Sequence, residues 1–296
     1  MNIKLISEIN KIKDLVIFLL FICNIFAFAR YKQEEIKFKS DTVCYKLNFQ
    51  KGDTLIFQVE SNDSIIINLS SPLLKKRHEK LQITCDSITP YGTFILRQKL
   101  IDFHSYERNE KGKEIQRKYT PWMNRVAIIE IDSLCNRISL TLEDTTIAGI
   151  CPGGAFQPYI LFPFAESCKR IGESWIVEKT DILVENGLPV PLLKYTSFFR
   201  AKGIVDTLEE KCLRFEYIKT GQGSYELQMT KDTLLVTNVI NGYGQYHISS
   251  KNLIPIHYFA TVEQKLTLHL PNGQKQPGLH FISSNFSLIK FIRKIK

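Results

Sequence analysis

Short catalytic and metal-binding motifs are missing from this 296-residue sequence. It contains no GxSxG, HExxH or P-loop pattern, so the common signatures of serine hydrolases, zinc proteases and nucleotide-binding enzymes are absent. Its seven cysteines include no CxxC pair, and a zinc ribbon or thioredoxin-type site therefore has no support. Apolar spacing at the helical period of about 3.6 residues is nearly absent as well. The sequence predicts no catalytic residue, no cofactor and no metal ligand set.

No apolar run reaches the ~20 residues that a membrane-spanning helix needs. The run Leu15–Phe26 follows a segment with three lysines and precedes Ala27-Phe28-Ala29, a small-x-small site for signal peptidase. We therefore expect residues 1–29 to be a signal peptide with a short helix, and the protein to be periplasmic or extracellular. A retained anchor is the alternative. The bulky residue before Cys23 argues against lipidation.

Neither sign of charge dominates any region of the chain. Lysine and arginine total 39, aspartate and glutamate total 30, and the two signs are mixed nearly everywhere. Dispersed charge of this kind indicates a soluble surface rather than a nucleic-acid interface. We therefore expect no nucleic-acid partner.

The end of the chain is the one place where apolar residues follow a helical spacing. A basic amphipathic end could contact an anionic membrane surface. The alternative, which we favour, is a last strand with a frayed basic tail, because a helix of about nine residues is marginal alone. The apolar positions concerned are Leu288, Phe291, Ile292 and Ile295.

Period-two alternation is the pattern that the sequence does contain. In Ile256–Leu270 apolar and polar residues alternate, and only Phe259 and Gln264 break the pattern. Such alternation predicts a half-buried antiparallel strand, and this one is far longer than the usual ~5–6 residues. Val126–Asp132 and Arg137–Leu142 form a further predicted pair. We predict an all-β protein with a large curved antiparallel sheet or half-barrel, with α+β as the alternative.

Turn chemistry separates the predicted strands. Glu107–Lys113 is expected to be the tip of a hairpin. Further turns are expected at Asn62-Asp63, Glu185-Asn186-Gly187, Gly221-Gln222-Gly223, Asn241-Gly242 and Pro271-Asn272-Gly273.

Residues 148–170 differ from the rest in composition. They combine Cys151-Pro152-Gly153-Gly154 with an aromatic run interrupted by proline, which cannot donate to a strand ladder. We interpret this segment as a connector between a first β half, 30–147, and a second, 171–296.

Two short matches suggest that these halves are related. Lys51–Ile56 resembles Ile171–Ile176 at an offset of 120 residues, and Arg137–Leu142 resembles Lys265–Leu270 at an offset of 128. An insertion in the second half would absorb the difference. Because β sequences match by chance easily, the repeat is a hypothesis.

Six cysteines remain after the predicted signal peptide, and an exported chain permits disulfides. Cys151 and Cys168 flank one loop-rich segment, so we predict a bridge between them. The alternative is that the cysteines are small buried hydrophobes that stay reduced.

Histidines and carboxylates offer two constellations to weigh. A hairpin turning at Ser250–Leu253 would place His247 opposite His257, and a third, acidic ligand would be needed for zinc. We expect two solvated imidazoles instead. Glu130 and Asp132 are near enough for a glycosidase pair, but their alternation with isoleucines is typical of an ordinary solvent face.

Aromatic residues number 33 (19 Phe, 12 Tyr and 2 Trp), and most should form a core. Those near the connector, together with the two tryptophans, are the candidates for a ligand pocket. They are Trp122, Phe156, Tyr159, Phe162, Phe164 and Trp175.

The signal peptide, the strand starts at Gly52 and Gly172 and the long strand at Ile256 resemble bacterial exported proteins of unknown function with lipoprotein-localisation-factor-like half-barrel architecture. The resemblance covers residues 40 to 290. It implies a deep antiparallel sheet whose concave face can hold a lipid or acyl chain, and it carries no functional residue over.

Three functions follow as hypotheses. The leading one is a non-enzymatic envelope or secreted protein that binds an apolar or amphipathic ligand, such as a lipid, in the curved sheet. The second is a structural or adhesion module without a small ligand, and the third is a secreted hydrolase. The packing of the sheet interior distinguishes the first two, because an open apolar cavity would favour the first and a packed interior the second.

Overall fold

The computed structural model describes residues 42–68, 70–109, 111–120, 122–143, 161, 164, 168–185, 188–228 and 233–293. They belong to one compact unit, Ser40–Lys296. The predicted signal peptide lies outside the described residues. Among those described, no helix is long and apolar enough to cross a membrane.

The described part of the chain forms strands and no helix, which confirms the predicted all-β class. The strands are β1 (Thr42–Cys44), β2 (Thr54–Ile67), β3 (Leu73–Ile88), β4 (Phe94–Arg108), β5 (Glu114–Arg117), β6 (Val126–Ile131), β7 (Arg137–Leu142), β8 (Cys168–Arg170), β9 (Ser174–Glu185), β10 (Leu188–Thr207), β11 (Glu210–Gln228), β12 (Thr233–Ser249), β13 (Pro255–His269) and β14 (Lys275–Ile292).

Twelve strands form one antiparallel sheet in the order β7-β6-β4-β3-β2-β14-β13-β12-β11-β10-β9, with β5 added beside β4. Each half of the chain is a meander of neighbouring strands. The two meanders join where the last strand, β14, pairs with β2 from Gly278 opposite Ile67 to Ile292 opposite Thr54. The predicted long strand at Ile256–Leu270 is β13. Its predicted pairing with β12, which places His257 opposite His247, is confirmed.

One face of the sheet, which we call the inner face, carries the buried side chains. Odd-numbered residues of β2 and even-numbered residues of β12, β13 and most of β14 point inward. The segment after β1 packs on this face, since Tyr45, Leu47 and Phe49 are at most 4% exposed and belong to the main core. The amide of Leu47 donates to the carbonyl of Ser133 at 2.7 Å.

Six consecutive strands each contribute one ring to an aromatic row across the inner face. Neighbouring ring centroids lie 4.1 to 5.8 Å apart, so each ring is in direct contact with the next. All six rings are at most 7% exposed, so they fill the interior rather than line a cavity. The row is Trp175, Phe199, Tyr217, Tyr246, Tyr258 and Phe286.

Gly244 of β12 makes this row possible. A Cβ atom at this position would lie 2.2 Å from the ring of Tyr217 on β11, which is far inside contact distance. Without it, Tyr217 reaches across β12, and its hydroxyl lies 2.6 Å from that of Tyr258 on β13. Burial raises the pKa of Tyr217 well above its usual value.

The predicted bridge between Cys151 and Cys168 is wrong, because Cys168 is bonded to Cys44. The two-stranded β1–β8 ladder places Cys44 directly opposite Cys168, which brings the sulfur atoms together. Cys151 lies outside the described residues. The alternative interpretation holds for Cys85, Cys135 and Cys212, which are buried and reduced.

Three of the predicted turns are wrong. Asn62-Asp63, Gly221-Gln222-Gly223 and Asn241-Gly242 all lie inside long strands, β2, β11 and β12. The glycines serve close packing, since a Cβ on Gly221 would lie 2.4 Å from the Lys194 carbonyl oxygen. The turn at Pro271-Asn272-Gly273 is confirmed, with the Gly273 amide donating to the Leu270 carbonyl at 2.9 Å.

The helical spacing near the end of the chain has a strand explanation. β14 continues to Ile292 and has a bulge between Leu288 and Lys290. The extra residue, Ile289, shifts the alternation, so that Leu288 and Phe291 both pack against the core. The preferred prediction of a last strand is thus correct. Contact of the basic end with a membrane stays a prediction.

The two predicted repeat starts form the same turn. The amide of Gln50 donates to the Asp53 carboxylate at 2.8 Å, and the amide of Asp53 donates to the Gln50 carbonyl at 3.0 Å. Arg170 and Glu173 make the same two bonds at 2.9 and 3.0 Å. The glycine before each acidic residue has a φ of 88° or 87°. This likeness supports the hypothesis of two related halves.

Candidate functional site

Beyond the aromatic row, polar residues occupy inner-face positions of five adjacent strands. They come from β12, β13, β14, β2 and β3 in spatial order, so they form a band across the middle of the sheet. We call this band the inner polar cluster. Its members are Asn238, Gln264, His280, Asp63, Arg77 and Glu79.

Charged side chains at one end of the cluster pair with each other. Arg77 donates from Nε to Asp63 Oδ2 at 2.9 Å and from Nη2 to Oδ1 at 3.3 Å, and its Nη1 lies 3.5 Å from Glu79 Oε1. Asp63 and Glu79 are 8% and 4% exposed. Such charges are stable in an interior only when they are paired.

Burial alone would raise the pKa of Asp63. The neighbouring His280 and the guanidinium of Arg77 outweigh burial and leave the pKa of Asp63 below its usual value. The carboxylate is therefore ionised at neutral pH. It cannot act as a proton donor, which a glycosidase mechanism would need from one carboxyl of a pair.

At the other end, polar atoms of two amides have no hydrogen-bond partner. Gln264 Oε1 lies 3.1 Å from His280 Nδ1, but Gln264 Nε2 is unpartnered, as are both Asn238 Nδ2 and Asn238 Oδ1. The two residues are 0% and 3% exposed. A buried polar group left in this state costs about 1–3 kcal/mol.

Apolar side chains surround these amides. The neighbouring inner-face positions on β12, β13 and β14 hold Val236, Ile240, Val262 and Ile282, each at most 3% exposed. None of the four belongs to the main core, so they form a separate apolar patch at the level of the inner polar cluster. The unpartnered amides are therefore enclosed by apolar side chains on three strands.

A second charged group adjoins the cluster on β3, β4 and β5. Glu107 lies between two cations, with Oε1 3.1 Å from Lys75 Nζ and Oε2 3.2 Å from Arg117 Nε. Burial would raise the pKa of Glu107, but Lys75 and Arg117 lower it. Together with Arg77, Asp63 and Glu79, this group has three positive and three negative side chains.

The predicted aromatic ligand residues are only partly brought together. Phe164 and Trp175 are in contact, with centroids 4.8 Å apart, but both are packed in the main core with Tyr45 and Phe215. Trp122 lies elsewhere, in the partly buried turn before β6, where the next residue, Met123, forms a bridge with Leu100 of β4. Phe156, Tyr159 and Phe162 lie outside the described residues.

The histidine pair has the predicted register, with His247 directly opposite His257 and ring centroids 5.4 Å apart. His247 is not a solvated imidazole, because burial lowers its pKa to about 4, and its Nδ1 lies 2.7 Å from the Thr207 hydroxyl. No group of three metal-binding side chains occurs in the described part of the chain. The acidic third ligand that zinc would need is not found there.

Glu130 and Asp132, which we predict to lie on an ordinary solvent face, each stabilise local structure. Glu130 accepts a hydrogen bond from the Thr93 hydroxyl at 2.7 Å. Asp132 accepts the amides of Leu134 and Asn136 and so holds the β6–β7 turn. The two carboxylates have separate partners.

Two open grooves lie along the second half of the sheet, with volumes of about 670 and 590 Å³. They share Lys194, Gln222 and Val239, whose side chains alternate away from the inner face. Both grooves are lined mainly by polar residues. They are therefore surface features and not the apolar interior space that the leading hypothesis anticipated.

The sequence contains one local signal for the inner polar cluster. Gln264 is one of two residues that break the alternation of Ile256–Leu270, and it points inward where an apolar residue is expected. Asp63 was hidden by its resemblance to a turn residue. Their convergence depends on strand pairing, which no local pattern shows.

No protein-family model matches the chain, and no curated protein matches it. Matching solved structures include a loop-deletion mutant of OmpT, an outer membrane protein of Vibrio cholerae, at 7% identity, and OccK7 (OpdD) of Pseudomonas aeruginosa at 8%. They cover 80% and 81% of this chain and all of theirs, each with a TM-score of 0.20. Likeness at this level carries no argument about fold or function.

Proposed function

We propose that this protein is an exported, non-enzymatic binding protein that holds an amphipathic ligand against the inner face of its sheet. The observation that carries the proposal is the set of buried, unpartnered amide atoms of Asn238 and Gln264. A ligand that hydrogen-bonds them would remove a penalty of about 1–3 kcal/mol for each group left unsatisfied. Its apolar part would contact the patch around Val262 and Ile282.

This proposal places the ligand away from the predicted aromatic residues. Phe164 and Trp175 are closed into the main core, so the aromatic row supplies rigidity and no free surface. Export through the signal peptide, a periplasmic or extracellular location and the likeness to lipoprotein-localisation-factor-like proteins remain parts of the proposal.

The first experiment looks for a bound molecule. Protein exported by its host and purified without detergent is analysed by native mass spectrometry, and solvent extracts are analysed in parallel. We expect a small amphipathic molecule at up to one equivalent. A clean apoprotein mass in repeated preparations, with no uptake from a lipid extract, would overturn the proposal.

A paired variant locates the site. Asn238→Leu with Gln264→Met replaces both amides by apolar side chains of similar size. We expect loss of the bound molecule together with a higher free energy of unfolding of the apoprotein, because a buried unsatisfied group is removed. The matched control is Asn241→Leu, on the exposed face of the same strand, which should change neither.

The second candidate is a structural or adhesion module without a small ligand. The completely filled aromatic row favours it, as do exposed apolar residues in register on the outer face, Ile176, Phe198 and Ile218. Under this reading the paired variant is stabilised while the wild-type protein binds nothing. A hydrolase is not favoured, because the carboxylates of the cluster are committed to Arg77.

A further inference from the structure

We propose that the free edge of β9 is a pairing surface for β9 of a second copy of this chain, so that the two sheets join edge to edge. Two observations carry the inference: the backbone groups that β9 directs away from β10, and the exposed apolar side chains that end at this edge. The inference is independent of the proposed ligand, because it uses the rim of the sheet and no residue of the inner polar cluster.

β9 is the last strand on one side of the twelve-stranded sheet. Among the described residues it pairs with β10 alone. Ser174, Ile176 and Glu178, which alternate along its first half, are all exposed. The part of the chain that the structure describes therefore leaves this edge of β9 uncovered.

The hydrogen bonds at the start of β9 show which of its backbone groups face the free edge. The amide of Gly172 donates to the Ala201 carbonyl at 2.8 Å, and the amide of Ala201 donates to the Glu173 carbonyl at 3.1 Å. Bonded and non-bonded pairs alternate along an antiparallel ladder. Val177 therefore bonds to β10, whereas Ile176 turns both its amide and its carbonyl toward the free edge.

The two outer edges of the sheet differ in how well they are protected. Short strands, bulges and prolines are the usual means by which an exposed edge avoids pairing. β7, at the opposite edge, has six residues, and the register shift in its ladder with β6 leaves the extra residue, Ile138, on β7 itself. β9 has twelve residues and contains neither proline nor glycine. The irregularity in its ladder places the extra residue on β10, so β9 is continuous.

Exposed apolar side chains end at the β9 edge. Ile176 lies opposite Phe198 on β10, which lies opposite Ile218 on β11, and the three are 56%, 44% and 59% exposed. A strand added beside β9 would place a cross-strand neighbour against Ile176 and reduce its exposure to water. Backbone pairing and apolar contact therefore favour the same partner geometry.

A second copy fits this edge better than an extended segment of another protein. β9 is already ordered by its ladder with β10, so two such edges meet without the entropy cost of ordering a loose segment. Pairing about a two-fold axis also uses both β9 edges at once. The product is a closed dimer that leaves only the shorter β7 edges outermost.

The test measures self-association of the exported protein by sedimentation across a concentration series. Ile176→Pro removes the outward amide, and its ring obstructs a partner strand, but no bond to β10 is lost. We expect the dissociation constant of the dimer to rise about tenfold or more, with the thermal unfolding midpoint of the monomer unchanged. Ile176→Thr keeps the amide and should weaken the dimer less. Ile138→Thr is the control, because Ile138 on β7 is also 56% exposed, and it should leave the dimer unchanged.

Amide hydrogen exchange of the wild-type protein gives a second readout that needs no variant. The amide of Ile176 should exchange slowly only at concentrations where the dimer forms. The amide of Val177 should be protected at all concentrations, because it donates to β10. This contrast between neighbouring residues identifies edge pairing rather than a general change in stability.

Three outcomes would overturn the proposal. A wild-type protein that is monomeric at every concentration, with an unprotected Ile176 amide, has a free β9 edge and no such dimer. A monomer whose Ile176 amide is protected uses another segment to cover this edge. A dimer that forms equally well in the Ile176→Pro variant has its interface elsewhere.

Discussion

At the scale of single residues, two positions of β12 have clear consequences for stability. Gly244 gives Tyr217 the room to reach Tyr258, and His247 is kept neutral by burial. Each makes a stability prediction that does not depend on the ligand.

Gly244→Ala should destabilise the protein by about 1–3 kcal/mol, because the added methyl group collides with the Tyr217 ring and the core must shift. Urea unfolding followed by tyrosine and tryptophan fluorescence measures the change. The double variant with Tyr217→Ala is the control. If the collision is the cause, Gly244→Ala has little further effect in that background. An equal loss in both backgrounds would contradict the explanation.

His247 should make stability fall as the pH decreases from 6.5 toward 4. Burial, helped by the charges of His257 and Arg214, lowers its pKa from 6.5 to about 4, so in this window the unfolded chain binds a proton that the folded protein does not. Above pH 6.5 both states are neutral at this residue and the effect vanishes.

The measurement is the free energy of unfolding at pH 7.5 and pH 5 for wild type and His247→Gln. We expect a smaller decrease in the variant, although His257, whose pKa is also lowered by burial, retains part of it. His78→Gln is the exposed control and should behave like wild type. Identical decreases in all three proteins would show that His247 does not titrate as described.

At the scale of elements, the disulfide between β1 and β8 holds the start of the described chain against the second half. Cys44 and Cys168 are 124 residues apart in sequence, and closing so long a loop stabilises a protein by roughly 2–5 kcal/mol. Cys44→Ser with Cys168→Ser should lose this amount in chemical unfolding.

Reductant provides the control for the disulfide. It should lower wild-type stability to the level of the double variant and leave the variant unchanged. The thiols of Cys85 and Cys212 should not exchange in the folded state, because burial raises the pKa of Cys85 to about 11 and that of Cys212 to about 12. A variant as stable as the oxidised wild type would contradict a stabilising role.

The lengths of the strands explain what local sequence could and could not show. Alternation found β13 and the β6–β7 pair, because each strand reports its own buried face. Turns were wrongly predicted inside β2, β11 and β12, because Asp63, Gly221 and Gly242 are residue types that favour turns. In the sheet these residues lie near the level of the inner polar cluster, where polar side chains and missing Cβ atoms serve packing and pairing.

The disulfide and the inner polar cluster could not be predicted from local sequence, for a related reason. Cys44 meets Cys168, and Asp63 meets Arg77 and His280, only after distant strands have paired. The repeat starts at Gly52 and Gly172 were accessible because a short turn carries its own signature of a glycine followed by an acidic residue.

At the scale of the whole molecule, the pairing of β14 with β2 predicts that the two halves stay together without a continuous chain. Fourteen residue pairs join these strands, and the ladder continues through the buried pair Ser61 and Ser284, whose hydroxyls are 2.8 Å apart. The Cys44–Cys168 bond links the halves a second time. A protease site inserted between residues 150 and 151 should therefore yield a cut protein that elutes as one species.

Reduction of the cut protein distinguishes the two links. We expect a single peak in size-exclusion chromatography with or without reductant, because the β14–β2 ladder is intact in both. In denaturant the halves should stay linked when oxidised and separate when reduced. Separation on reduction without denaturant would mean that the ladder alone cannot hold the sheet. The two meanders would then be associated through the disulfide, and the inner polar cluster, which takes Asp63 from one half and His280 from the other, would exist only in the oxidised protein.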